Sequence, residues 1–281
     1  MKKVVIAIAA LLAAGNLFAQ SDSTSSKGDT IKVGNFIIIK KDKKVTAERS
    51  SSNSDSVKVA KRKKSNVSTN WSIVDIGFAN VRDETEYGSA EANSYLRGGA
   101  TPFTKDDMKL RTNKTSNVNY WLFMQKVNVS KHVLNLKYGL GLEMYNFRYS
   151  KNISYRENLP GGVTGVFRDT VQFSKNKLYA GYITVPFMIN VNTTPDRKRG
   201  FSFSAGVSAG YLIASRNKQI SNERGKQKVK GDFDLEKWRV AYIAELGLGP
   251  IRLYGSYSMN PLHEKGLKQY PYAVGLRLSN W

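Results

Sequence analysis

Residues 131–149, KHVLNLKYGLGLEMYNFRY, separate into two sets when every second position is taken. Leu134, Leu136, Tyr138, Leu140, Leu142 and Met144 make one set. Asn135, Lys137, Gly139, Gly141, Glu143 and Tyr145 make the other. Successive side chains of a strand point to opposite faces, so one face is apolar along its length and the other carries charge, amide and glycine. A sandwich strand in water can alternate this way, but its polar face meets solvent and rarely carries two glycines. In a transmembrane barrel strand the apolar face meets lipid and the polar face crowds a lumen. The rest of the chain favours the second reading.

Seven further segments repeat the pattern. Residues 71–80 oppose Val74, Ile76 and Phe78 to Ile73, Asp75, Gly77 and Ala79. Residues 117–129 alternate least well, with Trp121 and Phe123 facing one way and Leu122 and Met124 the other. Residues 178–192 set Tyr179, Ile183, Val185, Phe187, Ile189 and Val191 against Thr184, Asn190 and Asn192. Pro186 lacks a ladder donor and predicts a bulge there. Residues 200–216 alternate best, with Phe201, Phe203, Val207, Tyr211 and Ile213 opposite serine and glycine. Residues 237–248 turn Trp238, Val240, Tyr242, Leu246 and Leu248 outward, and Lys237, Arg239, Glu245 and Gly247 inward. Residues 251–259 turn Leu253, Tyr257 and Met259 out and Arg252, Tyr254, Ser256 and Ser258 in. Residues 270–281 oppose Tyr272, Val274, Leu276 and Leu278 to Ala273, Gly275 and Arg277.

The connections alternate in length. Residues 81–116, 150–177, 217–236 and 260–269 are longer and polar, whereas 130–131, 193–199 and 249–250 are tight. An even strand count with short periplasmic turns and longer external loops is the outer-membrane pattern. The predicted fold class is therefore all-β: an eight-stranded antiparallel up-and-down transmembrane β-barrel with a short N-terminal periplasmic extension. Closure is required, because an open edge in hydrocarbon would leave backbone groups unpaired at several kcal/mol each. Trp71, Tyr149, Tyr179, Phe201, Trp238, Tyr270 and Trp281 fall near strand ends, where interfacial girdles belong.

The first residues agree with this address. Lys2 and Lys3 precede an apolar run at residues 4–14, and the small Ala19 precedes Gln20. That run is too short to span a bilayer and reads as a signal peptide over residues 1–19. Residues 20–69 form a basic, serine-rich periplasmic segment, with a short hairpin expected around Gly34-Asn35 and linker-like basic runs at 40–44 and 61–64. Residues 70–281 form the barrel. Cysteine is absent from the chain, which excludes disulfides, thiolate metal sites and a lipid-anchoring thiol.

Lys and Arg exceed Asp and Glu by 22. In an exported protein that surplus points away from nucleic acid and toward lipid phosphates, surface polysaccharides and cell-wall carboxylates. The inward charges read from the strands are Asp75, Lys137, Glu143, Lys237, Arg239, Glu245, Arg252 and Arg277. An eight-stranded interior is narrow enough to be filled by side chains, and a buried carboxylate needs a partner. Glu143 and Glu245 are therefore each expected to contact Arg or Lys. The surplus of inward cations leaves a narrow, anion-leaning pore as the alternative.

GLGLEMYNFRY at 139–149, YITVPFMI at 182–189 and the opening WSIVDIGFAN resemble the PorT-like outer-membrane β-barrel family of Gram-negative bacteria. DTIKVGNFIIIKK, from Asp29, resembles the leader segment that many members carry. The resemblance covers most of the chain from Asp29. It implies a barrel and a link to secretion or envelope assembly, without an assigned activity. Arg277 and Ser279 do not continue an apolar alternation in the register of Trp281, which departs from the usual barrel ending.

Catalytic chemistry finds little footing. His132 falls at a periplasmic turn. His263 with Glu264 lies in the last outer loop, where a loop-based hydrolase would need a serine within hydrogen-bond reach of its base. Asp106-Asp107 could meet a cation but sits in a lysine-rich loop. The Gly139/Gly141 and Gly247/Gly249 pairs lack the third glycine of a nucleotide fingerprint and read as relief of crowding in the lumen. The expectation is a non-enzymatic interaction or assembly barrel without catalytic, cofactor or metal site. Its partners would be outer-membrane lipid and envelope or secretion proteins.

Overall fold

The structure is a computed structural model and describes residues 29–33, 36–41, 44–49, 65–99, 101–159, 163–195, 200–249 and 251–278. The chain divides into two units, Met1–Arg62 and Lys63–Trp281. In the first, β1 (Asp29–Val33), β2 (Phe36–Lys41) and β3 (Lys44–Arg49) form an antiparallel meander. β1 and β2 pair as a hairpin, and β3 extends it. Lys40, Lys41 and Lys44 of the first basic run lie in strands rather than in a linker, because KVTAER itself alternates under its charge. The signal peptide, the serine-rich stretch at 50–56 and the second basic run lie outside the described residues.

The second unit comprises β4 (Val67–Asp83), a short helix α1 (Ala90–Tyr95), β5 (Leu96–Arg97), a 3-10 turn (Thr112–Lys114), β6 (Ser116–Ser130), β7 (Leu134–Arg148), β8 (Ile153–Leu159), β9 (Val163–Arg168), β10 (Lys175–Asn192), β11 (Phe201–Ser221), β12 (Gly225–Lys230), β13 (Trp238–Leu248), β14 (Ile251–Ser258) and β15 (Gln269–Leu278). Eight of these strands close a barrel in the order β4-β6-β7-β10-β11-β13-β14-β15, and β15 pairs back onto β4. Every pairing around the ring is antiparallel. Ile76, Phe78, Phe187, Ile189 and Leu248 each leave more than half of their surface exposed, whereas Asp75, Lys137, Ser204 and Thr184 are fully buried. This inverts the arrangement of a globule in water and is the arrangement lipid demands. No helix among the described residues is long and apolar enough to cross a membrane.

Two of the three register shifts in the barrel reset the alternation within its wall; the third, between Asn128 and Ser130, lies at the end of β6. On β6 the pairing with β7 shifts between Trp121 and Phe123, so Leu122 is the extra residue. Trp121 and Met124 consequently both turn inward, which corrects the expected grouping of Trp121 with Phe123 and of Met124 with Leu122. The bulge expected at Pro186 lies instead between Gly181 and Tyr182, where Ile213 is the extra residue on β11. Pro186 stays in register opposite Ser208. Beyond Ile213 the parity of β11 reverses, and Asn217 points inward.

The long connections are not plain loops. Residues 217–236 are largely the β11–β12 hairpin, read as loop because polar residues there hid their alternation. Within 150–177, β8 and β9 pair and β5 joins β9 in parallel. Helix α1 starts at Ser89, whose Oγ accepts from the Ala92 amide at 3.2 Å, an ordinary N-cap. Tyr95, Phe103, Met108, Ile153, Tyr155 and Phe233 from different connections pack into one apolar cluster with the barrel residues Phe147, Leu178 and Tyr182. The barrel is thus capped at one end. Tyr149, expected in an interfacial girdle, is buried in this cap, while Trp71 and Trp238 are exposed on the wall.

Candidate functional site

The lumen charges assemble because register sets them side by side. Arg277 lies directly opposite Asp75 across β15 and β4 and clasps it with two bonds, Nε to Oδ1 at 2.6 Å and Nη2 to Oδ2 at 2.7 Å. Arg277 Nη1 and Lys137 Nζ both donate to Glu245. Arg239 Nη1 donates to Glu143 Oε2 at 2.6 Å and its guanidinium covers the Tyr145 ring at 4.9 Å. Trp121 Nε1 and Asn119 Nδ2 also donate to Asp75, at 2.7 and 3.2 Å. Arg252 Nη1 donates to Ser202 Oγ at 3.1 Å.

Seven of the eight residues read as inward charges therefore lie in the lumen. Lys237 does not. The strand begins at Trp238, and Lys237 sits above the rim, about half exposed, 3.9 Å from Asp232 and 4.0 Å from Glu264. Without it, four cations face three carboxylates, a surplus of one. Glu143 and Glu245 each touch a cation. A pocket between Trp121, Glu143, Met188, Glu245, Tyr254 and Arg277 holds about 20 Å³, room for one water.

Close approach explains the glycines. Gly77 and Gly275 face each other beneath Tyr254. A Cβ on Gly275 would lie 2.5 Å from Gly77 Cα and 2.7 Å from the tyrosine ring. Their absence of side chains lets Tyr254 Oη donate to Asn117 Oδ1 at 2.6 Å. A Cβ on Gly141 would lie 2.6 Å from the Trp121 ring. Gly249, read as a lumen glycine, instead sits in the β13–β14 turn at φ +62°, a left-handed conformation that glycine adopts without strain.

The cap holds the other candidates apart. Asp107 accepts from Arg168 Nη2 at 2.8 Å and from the Thr104 amide at 2.8 Å. The Arg168 bond holds its carboxyl down at about 2, so it is a permanent anion committed to a partner. Arg168 also donates to the carbonyls of Thr101 and Pro102 and lies over Phe103 at 4.5 Å. Asp106 is exposed, 4.0 Å from Lys109. Among the described residues no group of three or more His, Asp and Glu could hold a metal. His263 is buried with its ring stacked on Tyr155, 6.1 Å between centroids and 6° between planes. Its Nδ1 has no hydrogen-bond partner, and burial pushes its pKa down to about 3. It is a neutral packing residue, with the Tyr155 hydroxyl 3.5 Å from its Nε2. His132 lies in the β6–β7 turn at φ +56°. The Arg168–Asp107 clamp and Trp121 escaped the sequence reading; the first joins residues 61 apart, and the second depends on the Leu122 bulge.

A family model described as outer membrane protein beta-barrel domain matches residues 87–264. The chain belongs to this outer-membrane barrel family. The match begins after β4 and ends before β15, the two strands that close the ring. Membership places the protein in the outer membrane. Two crystal structures of Ail, the attachment invasion locus protein of Yersinia pestis, are similar at 13% identity. They cover 74% of this chain and 97% of theirs, with TM-scores of 0.29 for the complex with the heparin analogue sucrose octasulfate and 0.28 for Ail alone. No curated protein matches the chain in sequence.

Proposed function

We propose that the protein is a non-enzymatic barrel that works as an interaction or assembly component of the envelope, with the capped end outward and the N-terminus in the periplasm. The observation that carries this reading is the filled interior. Buried ion pairs occupy the lumen, a pocket among them is water-sized, and an apolar cap covers one end. Side chains are thereby spent on closing the barrel and ordering its outer surface rather than on a route or a reaction centre. The connections 131–133, 193–200 and 249–250 are the short ones, which supports their periplasmic placement. The PorT-like motifs at 139–149 and 182–189 favour secretion or envelope assembly as the setting.

Crosslinking in intact cells followed by purification from native membranes tests the proposal. A defined protein partner recovered through the cap is the expected result; a barrel recovered alone under every condition counts against it. The pore reading rests on the single surplus cation in the lumen. Planar-bilayer recording decides it, and stable unitary currents would favour the pore.

A further inference from the structure

Above the apolar wall, one sector of the barrel carries only cations. Arg148 lies opposite Lys177, Lys177 opposite Lys218, and Lys218 opposite Lys228, giving an unbroken row across β7, β10, β11 and β12. Lys175 and Lys226 flank Ile220 in the next row on this face, and Arg216 pairs with Lys230 in the row beneath. Like charges directly opposite each other on a sheet are destabilising. Among the described residues none of these eight forms an ion pair.

The charge is sorted by face. On the β11–β12 hairpin every cation of the paired strands occupies the side continuous with the lipid-facing wall. The other side carries Asn217, Gln219, Gln227 and Val229. Gln219 there donates to Ser154 Oγ at 2.8 Å, and Asn217 to Asn176 Oδ1 at 3.2 Å, so that side belongs to the cap. Two of the cations are held in place: Lys177 Nζ donates to Asn146 Oδ1 at 2.6 Å, and Arg148 Nη2 to the Ser174 carbonyl at 2.7 Å. Arg216 lies over the Tyr179 ring at 4.7 Å.

The outward side chains of β10, read down the strand, are Lys175, Lys177, Tyr179, Ile183, Val185, Phe187, Ile189 and Val191. At about 3.3 Å per residue and a tilt near 45°, Lys177 stands roughly 5 Å above Tyr179. Cation, aromatic, aliphatic is the order in which headgroup phosphate, interface and acyl chain are met on entering a leaflet. We propose that this sector binds the phosphate-bearing headgroups of outer-leaflet lipids, an inference that rests on the outward placement of the cap proposed above.

The full-length barrel, refolded into phosphatidylcholine bilayers, is probed with spin-labelled phosphatidic acid and spin-labelled phosphatidylcholine. The motionally restricted fraction gives their relative association. The expected preference for phosphatidic acid is at least about threefold, from clustered cations at the headgroup level. It falls to near parity in Lys177→Gln/Lys218→Gln/Lys228→Gln and persists in a control of equal charge, Lys109→Gln/Lys265→Gln/Lys268→Gln. Lys226→Gln/Lys228→Gln/Lys230→Gln, confined to the exposed β12, gives the same loss without touching barrel packing. No preference in the wild type, or equal loss in the control, overturns the proposal. So does saturable binding of soluble dextran sulfate by the same lysines with no lipid preference. These bilayers present the same lipid on both sides, so the result does not depend on orientation. Orientation is read separately, from protease cutting at residues 222–224 in intact cells. Protection there overturns the outer-leaflet assignment.

Discussion

Two charged regions meet on β7 yet obey opposite rules. Inside the lumen, Lys137, Arg239 and Arg277 each meet a carboxylate. On the upper outer wall, from the opposite face of β7 across β10 and β11, Arg148, Lys177 and Lys218 meet other cations. The lumen screens charge poorly, so carboxylates of the chain accompany Lys137, Arg239 and Arg277 there. The outer wall faces a medium that supplies its own anions, and pairing is left to the surroundings. Charge serves the fold in the first region; in the second it is left for the lipid headgroups proposed above.

Glu245→Gln breaks the lumen side hardest, because two buried cations depend on that carboxylate. Urea unfolding of the refolded barrel in vesicles should show a loss of about 3–5 kcal/mol. Glu143→Gln deprives only Arg239 and should cost about 2–3 kcal/mol, with a lower melting temperature. The double change Glu143→Leu/Arg239→Leu should recover part of that loss; an additive double variant would refute the pairing.

His263 extends the comparison to pH. An unfolded histidine titrates near 6.5, and the folded residue near 3. Between those values the unfolded chain binds the extra proton, so stability is full above pH 6.5 and falls as pH drops toward 3. The expected loss is about 2 kcal/mol between pH 7 and 5, seen as lower amide protection factors in α1 once the intrinsic exchange rate at each pH is divided out. His263→Phe keeps the stack and should flatten the profile; an unchanged profile would assign the effect elsewhere. Smallest of all is Lys228→Gln in lipid-free detergent, where the unfolding midpoint should hold or rise slightly as repulsion is relieved. A clear drop would mean that the outer row is paired within the protein after all.

The barrel was legible in the sequence because alternation is local: the barrel strands other than β6 declare their lipid face within a few residues, and seven of the lumen charges follow from the same parity. Legibility failed where parity was reset or where contacts were distant. Leu122 hid the inward turn of Met124, and Ile213 hid that of Asn217. Lys237 continued the inward parity of β13 in sequence but lies before the first ladder pair. The cap was unreadable for a different reason. Tyr95 donates to the Phe233 carbonyl across 138 residues, and α1 is too short to announce itself by periodicity.

The β4–β15 seam sets the order in which such a molecule can be completed. Ten register pairs run from Gln269↔Asp83 to Leu278↔Val74, and the Arg277–Asp75 clasp spans 202 positions of chain. Loop closure of that length makes the seam the slow, late event of assembly. A chain truncated before Gln269 would carry a raw strand edge into hydrocarbon and leave Asp75 without its guanidinium partner. Insertion therefore has no stable halfway point, and Arg277 acts as the latch that only a finished polypeptide can throw.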